Sequence, residues 1–144
     1  PGYCAMKYLI DTNVISELIA RQPNPKVVAW VDELDPNLVY LSVITVGEIR
    51  KGVEKLAASK RKETLKEWLE TDLLIRFEEH IVEISVKTML LWGELMGQLE
   101  RAGKSMGAID SLLAASALEG DYVLVTRNTG DFEHAGVQII NPWE

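Results

Sequence analysis

An α/β fold, a three-layer α/β/α sandwich around a central parallel sheet, is the architecture this 144-residue sequence predicts. Two observations carry that expectation. Short segments rich in Val, Ile and Leu, such as "KYLI", "LVYLS" and "YVLVT", are nearly continuous in apolar character, as strands covered on both faces are. Between them lie longer segments whose apolar residues recur at helical spacing.

In chain order, "KYLI" reads as the first strand, followed by helices over "NVISELIA" and "PKVVAWVDEL". "LVYLS" is a strand that leads into a helix over "TVGEIRKGVEKL", and "KETLKEWLETDLL" is a further helix. "HIVEIS" is a strand, and "VKTMLLWGELMGQLERAG" is a long helix stopped by Gly103. "IDSLLAASAL" is a helix closed by Gly120, and "YVLVT" and "VQII" complete the strands. With no repeat, low-complexity tract or Pro/Gly-rich linker, residues 6–144 are expected to form one domain. The leading "PGYCA" has the look of a cloning remnant ahead of Met6.

Composition narrows the function. Hydrophobic residues make up 47% and charged residues 26%, which is the balance of a water-soluble chain with a substantial core. No window has the length of apolar residues needed to span a membrane, and no secretory leader is evident, so a cytoplasmic location is expected. The one cysteine, Cys4, and the two histidines, His80 and His134, leave no basis for a disulfide framework or a zinc centre. The net charge of −7 argues against a general nucleic-acid binder. Yet seven of the fifteen cations, Arg50, Lys51, Lys55, Lys60, Arg61, Lys62 and Lys66, fall between positions 50 and 66. That flank is either a solvated helical hairpin or a phosphate-facing surface.

The acids at strand ends are the most informative residues. In parallel α/β sheets, ligands bind beyond the carboxyl ends of the strands. Asp11 follows "KYLI", Glu48 comes within two helical turns of "LVYLS", Asp110 opens "DSLLAASAL", and Asp131 follows "YVLVT" through the loop "RNTG". Singly, each has a structural explanation. Asp110 fits an N-cap, Glu48 fits a capping box with Thr45, Asp131 fits the start of a short helix, and Asp11 fits an Asx turn. Together they fit a metal site better. Carboxylates about 5 Å apart repel by roughly 3 kcal/mol per pair at an effective dielectric near 20, a burden that a divalent cation would lift. An all-oxygen set suits Mg²⁺ or Mn²⁺.

At these residues the sequence resembles the PIN-domain ribonucleases, including the VapC-type and FitB-like toxins of bacterial toxin–antitoxin pairs. The likeness runs from Met6 to Trp143 through "LIDTNVISEL", "LSVITVGEIRKGV", "AIDSLLAASAL", "LVTRNTGDF" and "INPW", in that order. Gly107 in "MGAID" stands where relatives often carry Pro. The resemblance implies a PIN-like, Rossmann-like fold and metal-dependent hydrolysis of RNA phosphodiesters. It puts the acidic quartet on Asp11, Glu48, Asp110 and Asp131, with Asp11 and Asp110 as Mg²⁺ ligands and Asn13, Thr126 and Asn128 as polar support. It also implies a cognate antitoxin and a homodimer.

Arg50, Lys51, Lys60, Arg61, Lys62 and Arg127 are the candidates for RNA contact, with solvated charge or a surface ion pair as the alternative. The apolar faces around Trp30, Trp68 and Trp92 suit either dimerisation or core packing. Two rival readings keep the fold. An aspartyl-phosphate enzyme also has an Asp at a strand end, but here Asn13 stands where its second carboxylate is expected. A non-catalytic binding module would not need all the acids.

Overall fold

In a computed structural model, which describes residues 6–144, a five-stranded sheet is flanked by helices on both faces. Cys4 and the rest of "PGYCA" lie outside the described residues. The strands are β1 (Lys7–Ile10), β2 (Val39–Ser42), β3 (Ile81–Val82), β4 (Tyr122–Val125) and β5 (Ile139–Ile140), and they lie in the order β3-β2-β1-β4-β5. Every pairing is parallel. This is the α/β/α sandwich expected from the sequence. The outer strands β3 and β5 are only two residues each, shorter than "HIVEIS" and "VQII" predicted. Pairing on one side alone supports less of each segment.

The chain builds outward from β1 to β3 on one side, then crosses back to lay β4 and β5 on the other. The reversal falls between β1 and β4, the point at which parallel α/β sheets bind ligands beyond the carboxyl ends of their strands. Register puts Ile10 beside Val125, and the ladder continues past the strand when the Asp11 N–H donates to the Val125 carbonyl at 2.9 Å.

Alternation along the strands feeds two cores. Ile10, Leu41 and Val125 face one layer, formed by α1 (Thr12–Leu18), α2 (Pro25–Asp32), α3 (Val43–Glu54) and the segment from α4 (Lys60–Glu67) to α5 (Leu74–Arg76). Leu9 and Leu124 face the other, formed by α6 (Val86–Arg101) and α7 (Ala108–Glu119). On α7 the buried face is largely Ala114, Ala115 and Ala117, small side chains that let the helix lie close to its neighbours. The predicted helix over residues 62–74 starts earlier, at Lys60, and is interrupted by a π segment, Trp68–Leu73, in which the Leu74 N–H reaches the Leu69 carbonyl. The wider turn keeps Leu69, Leu73 and Phe77, spaced four apart, together on the core.

The tryptophans are accounted for by packing. Trp30 meets Tyr8 edge-on at 5.7 Å, Trp68 packs on the same core, and the half-buried Trp92 donates its indole N–H to Ser111 Oγ at 2.9 Å. No helix among the described residues is long and apolar enough to cross a membrane.

Candidate active site

Asp11 ends β1 and caps α1, and it is 6% exposed. A carboxylate buried to this degree needs partners, and the "DTN" turn together with the end of β4 supplies them. The Thr12 N–H donates to Asp11 Oδ1 at 2.7 Å, and the hydroxyl of the fully buried Thr126 donates to Oδ2 at 2.8 Å. Asn13 Nδ2 donates to Asp11 Oδ2 at 3.3 Å and to Thr126 Oγ1 at 3.1 Å. Thr126 Oγ1 also accepts the Asn128 N–H at 3.1 Å, and Asn13 Oδ1 accepts the Arg127 N–H at 3.2 Å. Asp11, Asn13, Thr126 and Asn128 thus form one network that pins the loop after β4 to the turn after β1.

Glu48 is held from the same turn. Thr12 Oγ1 donates to Glu48 Oε1 at 2.6 Å, so each residue of "DTN" has its own partner. The capping box with Thr45 does not form. Ser42 is the N-cap of α3, accepting the Ile44 N–H at 3.0 Å, which leaves Thr45 buried inside the helix and Glu48 a full turn further on. Asp110 is not an N-cap either. Gly107 occupies that position, so Asp110 sits in the first turn of α7, where the helix dipole favours an acid. Asp131 lies inside a 3-10 turn, Thr129–Phe132, rather than opening one, and the buried Phe132 anchors that turn.

Electrostatics tie the acids together. Burial pushes the Asp11 carboxyl above the ordinary aspartate value; the Thr126 hydroxyl and the Thr12 N–H pull it back, and the charges of Glu48 and Asp131 add to the rise. Asp110 is raised first by burial, then by Asp131, Asp11 and Glu48. Among the described residues none of these acids has an ion-pair partner. Their spacing is looser than the sequence suggested, since among the described residues no three His, Cys, Asp or Glu side chains stand close enough to enclose a metal ion. Repulsion and the Thr12 hydroxyl, which draws Glu48 to itself, both oppose a tighter cluster. The donor set fits a hard divalent cation that keeps several waters, with acidic charge in excess.

The cations divide. Arg50 pairs with Glu54 at 2.8 Å and Lys62 Nζ donates to the Glu54 carbonyl at 3.1 Å, so both serve the α3–α4 junction. Lys51 and Lys60 are exposed. Arg61 differs, lining a groove of about 240 Å³ with Thr12 and Glu48. The Arg127 guanidinium lies 5.2 Å from the centre of the Trp143 ring, a cation–π contact instead of an ion pair. Thr12 went unassigned in the sequence. Its one signal was that no turn requires Asp, Thr and Asn in succession.

Acids thus stand beyond the carboxyl ends of a parallel α/β sheet at its switch point, and residues 8–137 match the family model described as "PIN domain". The chain belongs to the PIN-domain family. It is 41% identical over 135 residues to "Toxin FitB" of Neisseria gonorrhoeae, covering 94% of this chain and 97% of that protein. It is 38% identical over 136 residues to "VapC ribonuclease Y4jK" of Sinorhizobium fredii, covering 94% and 97%. Among solved structures it is similar to FitAcB from Neisseria gonorrhoeae, with a TM-score of 0.91 and 40% identity over 95% of this chain and 99% of that one. It is also similar to VapBC2 from Rickettsia felis bound to a promoter DNA fragment, with a TM-score of 0.79 and 29% identity over 94% and 98%.

Proposed function

We propose that the protein is a divalent-metal-dependent endoribonuclease, the toxin of a toxin–antitoxin pair, and that Asp11, Glu48, Asp110 and Asp131 carry the reaction. The observation that bears most weight is geometric: at the switch point of the sheet the buried Asp11 carboxylate is held by Thr12, Asn13 and Thr126, Glu48 is held by Thr12, and none of the four acids has an ion-pair partner among the described residues. Relatives named as ribonucleases share this chain nearly end to end. Asp11 and Asp110 would hold Mg²⁺, with Mn²⁺ as a substitute. The cation, when bound, would supply Lewis-acid polarisation of the scissile phosphoryl group and a lowered pKa for the attacking water.

The chain's own groups do the rest. Thr126 and Asn13 fix the Asp11 carboxylate, as the outer partners of a ligand do. Glu48, aimed by Thr12, and Asp131 orient the water and accept its proton. Arg61 meets the RNA backbone in the groove it shares with Glu48. Solved relatives named as complexes of two proteins on DNA support a cognate antitoxin partner. Pairing of two copies is part of the same proposal, supported by Val86 and Leu90, apolar residues that α6 leaves exposed.

Incubating the protein with single-stranded RNA in Mg²⁺ should give internal cleavage that EDTA abolishes. Asp11→Asn and Asp110→Asn should each remove it while leaving the fold intact. Cleavage undiminished by EDTA, or retained at the wild-type rate in either variant, would overturn the assignment.

A further inference from the structure

Helix α6, 16 residues long, ends in a Schellman motif. Gly103 takes the left-handed conformation at φ 70°, its N–H donates to the Glu100 carbonyl at 3.1 Å, and the Lys104 N–H returns to the Leu99 carbonyl at 2.8 Å. The backbone of Lys104 is therefore fixed, and it borders a polar groove of about 400 Å³ whose other walls include Ser105, Asp110, Asp131 and His134. The groove is distinct from the one lined by Arg61, Thr12 and Glu48: Glu48, which follows β2, borders one, Asp110 and Asp131, the latter following β4, border the other, and β1 with Asp11 at its end lies between β2 and β4.

Lys104 is exposed and, among the described residues, has no ion-pair partner, although Asp110, Asp131 and Glu133 border the same groove. His134, in contrast, meets Glu133 at 3.2 Å. A polyanion passing over a cluster of carboxylates is repelled on both sides of the reacting phosphate, and fixed cations in the flanking grooves offset that repulsion. Arg61 stands on one side. We propose that Lys104 is its counterpart, a phosphate-binding residue for the nucleotide on the Asp110–Asp131 side, and that the exposed imidazole of His134 stacks on that nucleotide's base. The proposal rests on the ribonuclease reading and adds to it where the strand lies.

The test is equilibrium binding of a short fluorescein-labelled single-stranded RNA in EDTA, read by anisotropy between about 50 and 200 mM salt. Losing one phosphate contact on a single strand flattens the slope of log K against log salt by about 0.7, or about five-fold in affinity at 0.1 M salt. Lys104→Ala should show both changes, Lys104→Glu a larger loss, and Lys104→Arg neither. His134→Ala should weaken binding with the slope unchanged, and His134→Phe should restore it. Lys87→Ala, at the opposite end of α6 and about 21 Å from Arg101 along the helix, should match wild type. If Lys104→Ala retained the wild-type affinity and slope, or merely matched Lys87→Ala, the subsite would be wrong while the ribonuclease reading stood. If the wild-type protein neither bound nor cleaved RNA, both would fall.

Discussion

Replacing Thr126 by Val removes one hydroxyl from a fully buried position and leaves the side-chain shape almost unchanged. That hydroxyl donates to Asp11 Oδ2 at 2.8 Å, and hydrogen bonds to charged groups contribute about 1.5–3 kcal/mol. For a chain of this size each kcal/mol moves the melting midpoint by about 2–4 °C, so the variant should melt roughly 3–12 °C lower at neutral pH. The loss should also depend on pH. Asp11 already has a folded-state pKa above its unfolded value of 3.8, and ionising it costs stability as pH rises through the folded pKa. Without the hydroxyl that pKa climbs further, so the deficit is largest where Asp11 is ionised and shrinks in acid, where the carboxyl is protonated in both proteins. Calorimetry of metal-free wild type and Thr126→Val at neutral pH and at about pH 4 measures both. A midpoint unchanged by the substitution, or a deficit equal at both pH values, would show that Thr126 only fills space and does not serve the carboxylate.

The raised Asp11 and Asp110 carboxyls predict that the metal-free protein gains stability as pH falls from neutrality toward 3.8, until other groups titrate, and that Mg²⁺ at about ten times its Kd adds about 1.4 kcal/mol at neutral pH and little in acid. Melting curves across that range check it, and a midpoint indifferent to Mg²⁺ would argue against a metal site. Gly107→Pro should stabilise by about 0.4–1 kcal/mol, because Gly107 already sits at φ −62° and an added Cβ meets only Asp110 Oδ2, at 3.9 Å. A lower denaturation midpoint for this variant would show that the Gly107 N–H or the preceding residue resists proline.

How far the sequence disclosed this site depended on how local each signal was. The strand-end position of Asp11 needed only four apolar residues before it, and "KYLI" is β1 without adjustment. The capping alternatives weighed for Glu48 and Asp110 fall away because the true caps, Ser42 and Gly107, precede the segments in which helical periodicity is visible. The π segment was hidden, since Leu69, Leu73 and Phe77 fit a helix of either kind at short range. Thr12 was marked only by its place in "DTN", and Lys104 by nothing local. Thr12 acquires its partner from 36 residues away, and Lys104 is an isolated cation placed by a helix terminus, whereas the run from Arg50 to Lys66 drew notice by density and yields one residue, Arg61, beside the acids.

The order in which the sheet is laid down has a consequence for how the protein is made. β1 is central, yet its partner β4 begins only at Tyr122, and Asp131 follows that strand. During synthesis the chain emerges amino end first, so Asp11 and Glu48 are exposed long before Thr126 arrives to complete the network around Asp11. A ribosome-bound chain, or one cut short before Tyr122, has half a sheet and only some of the acids. On the proposed chemistry, a cell translating this message meets no active nuclease until the codons for β4, Thr126 and Asp131 have been read, which leaves the time of translating more than a hundred residues for a partner to be present.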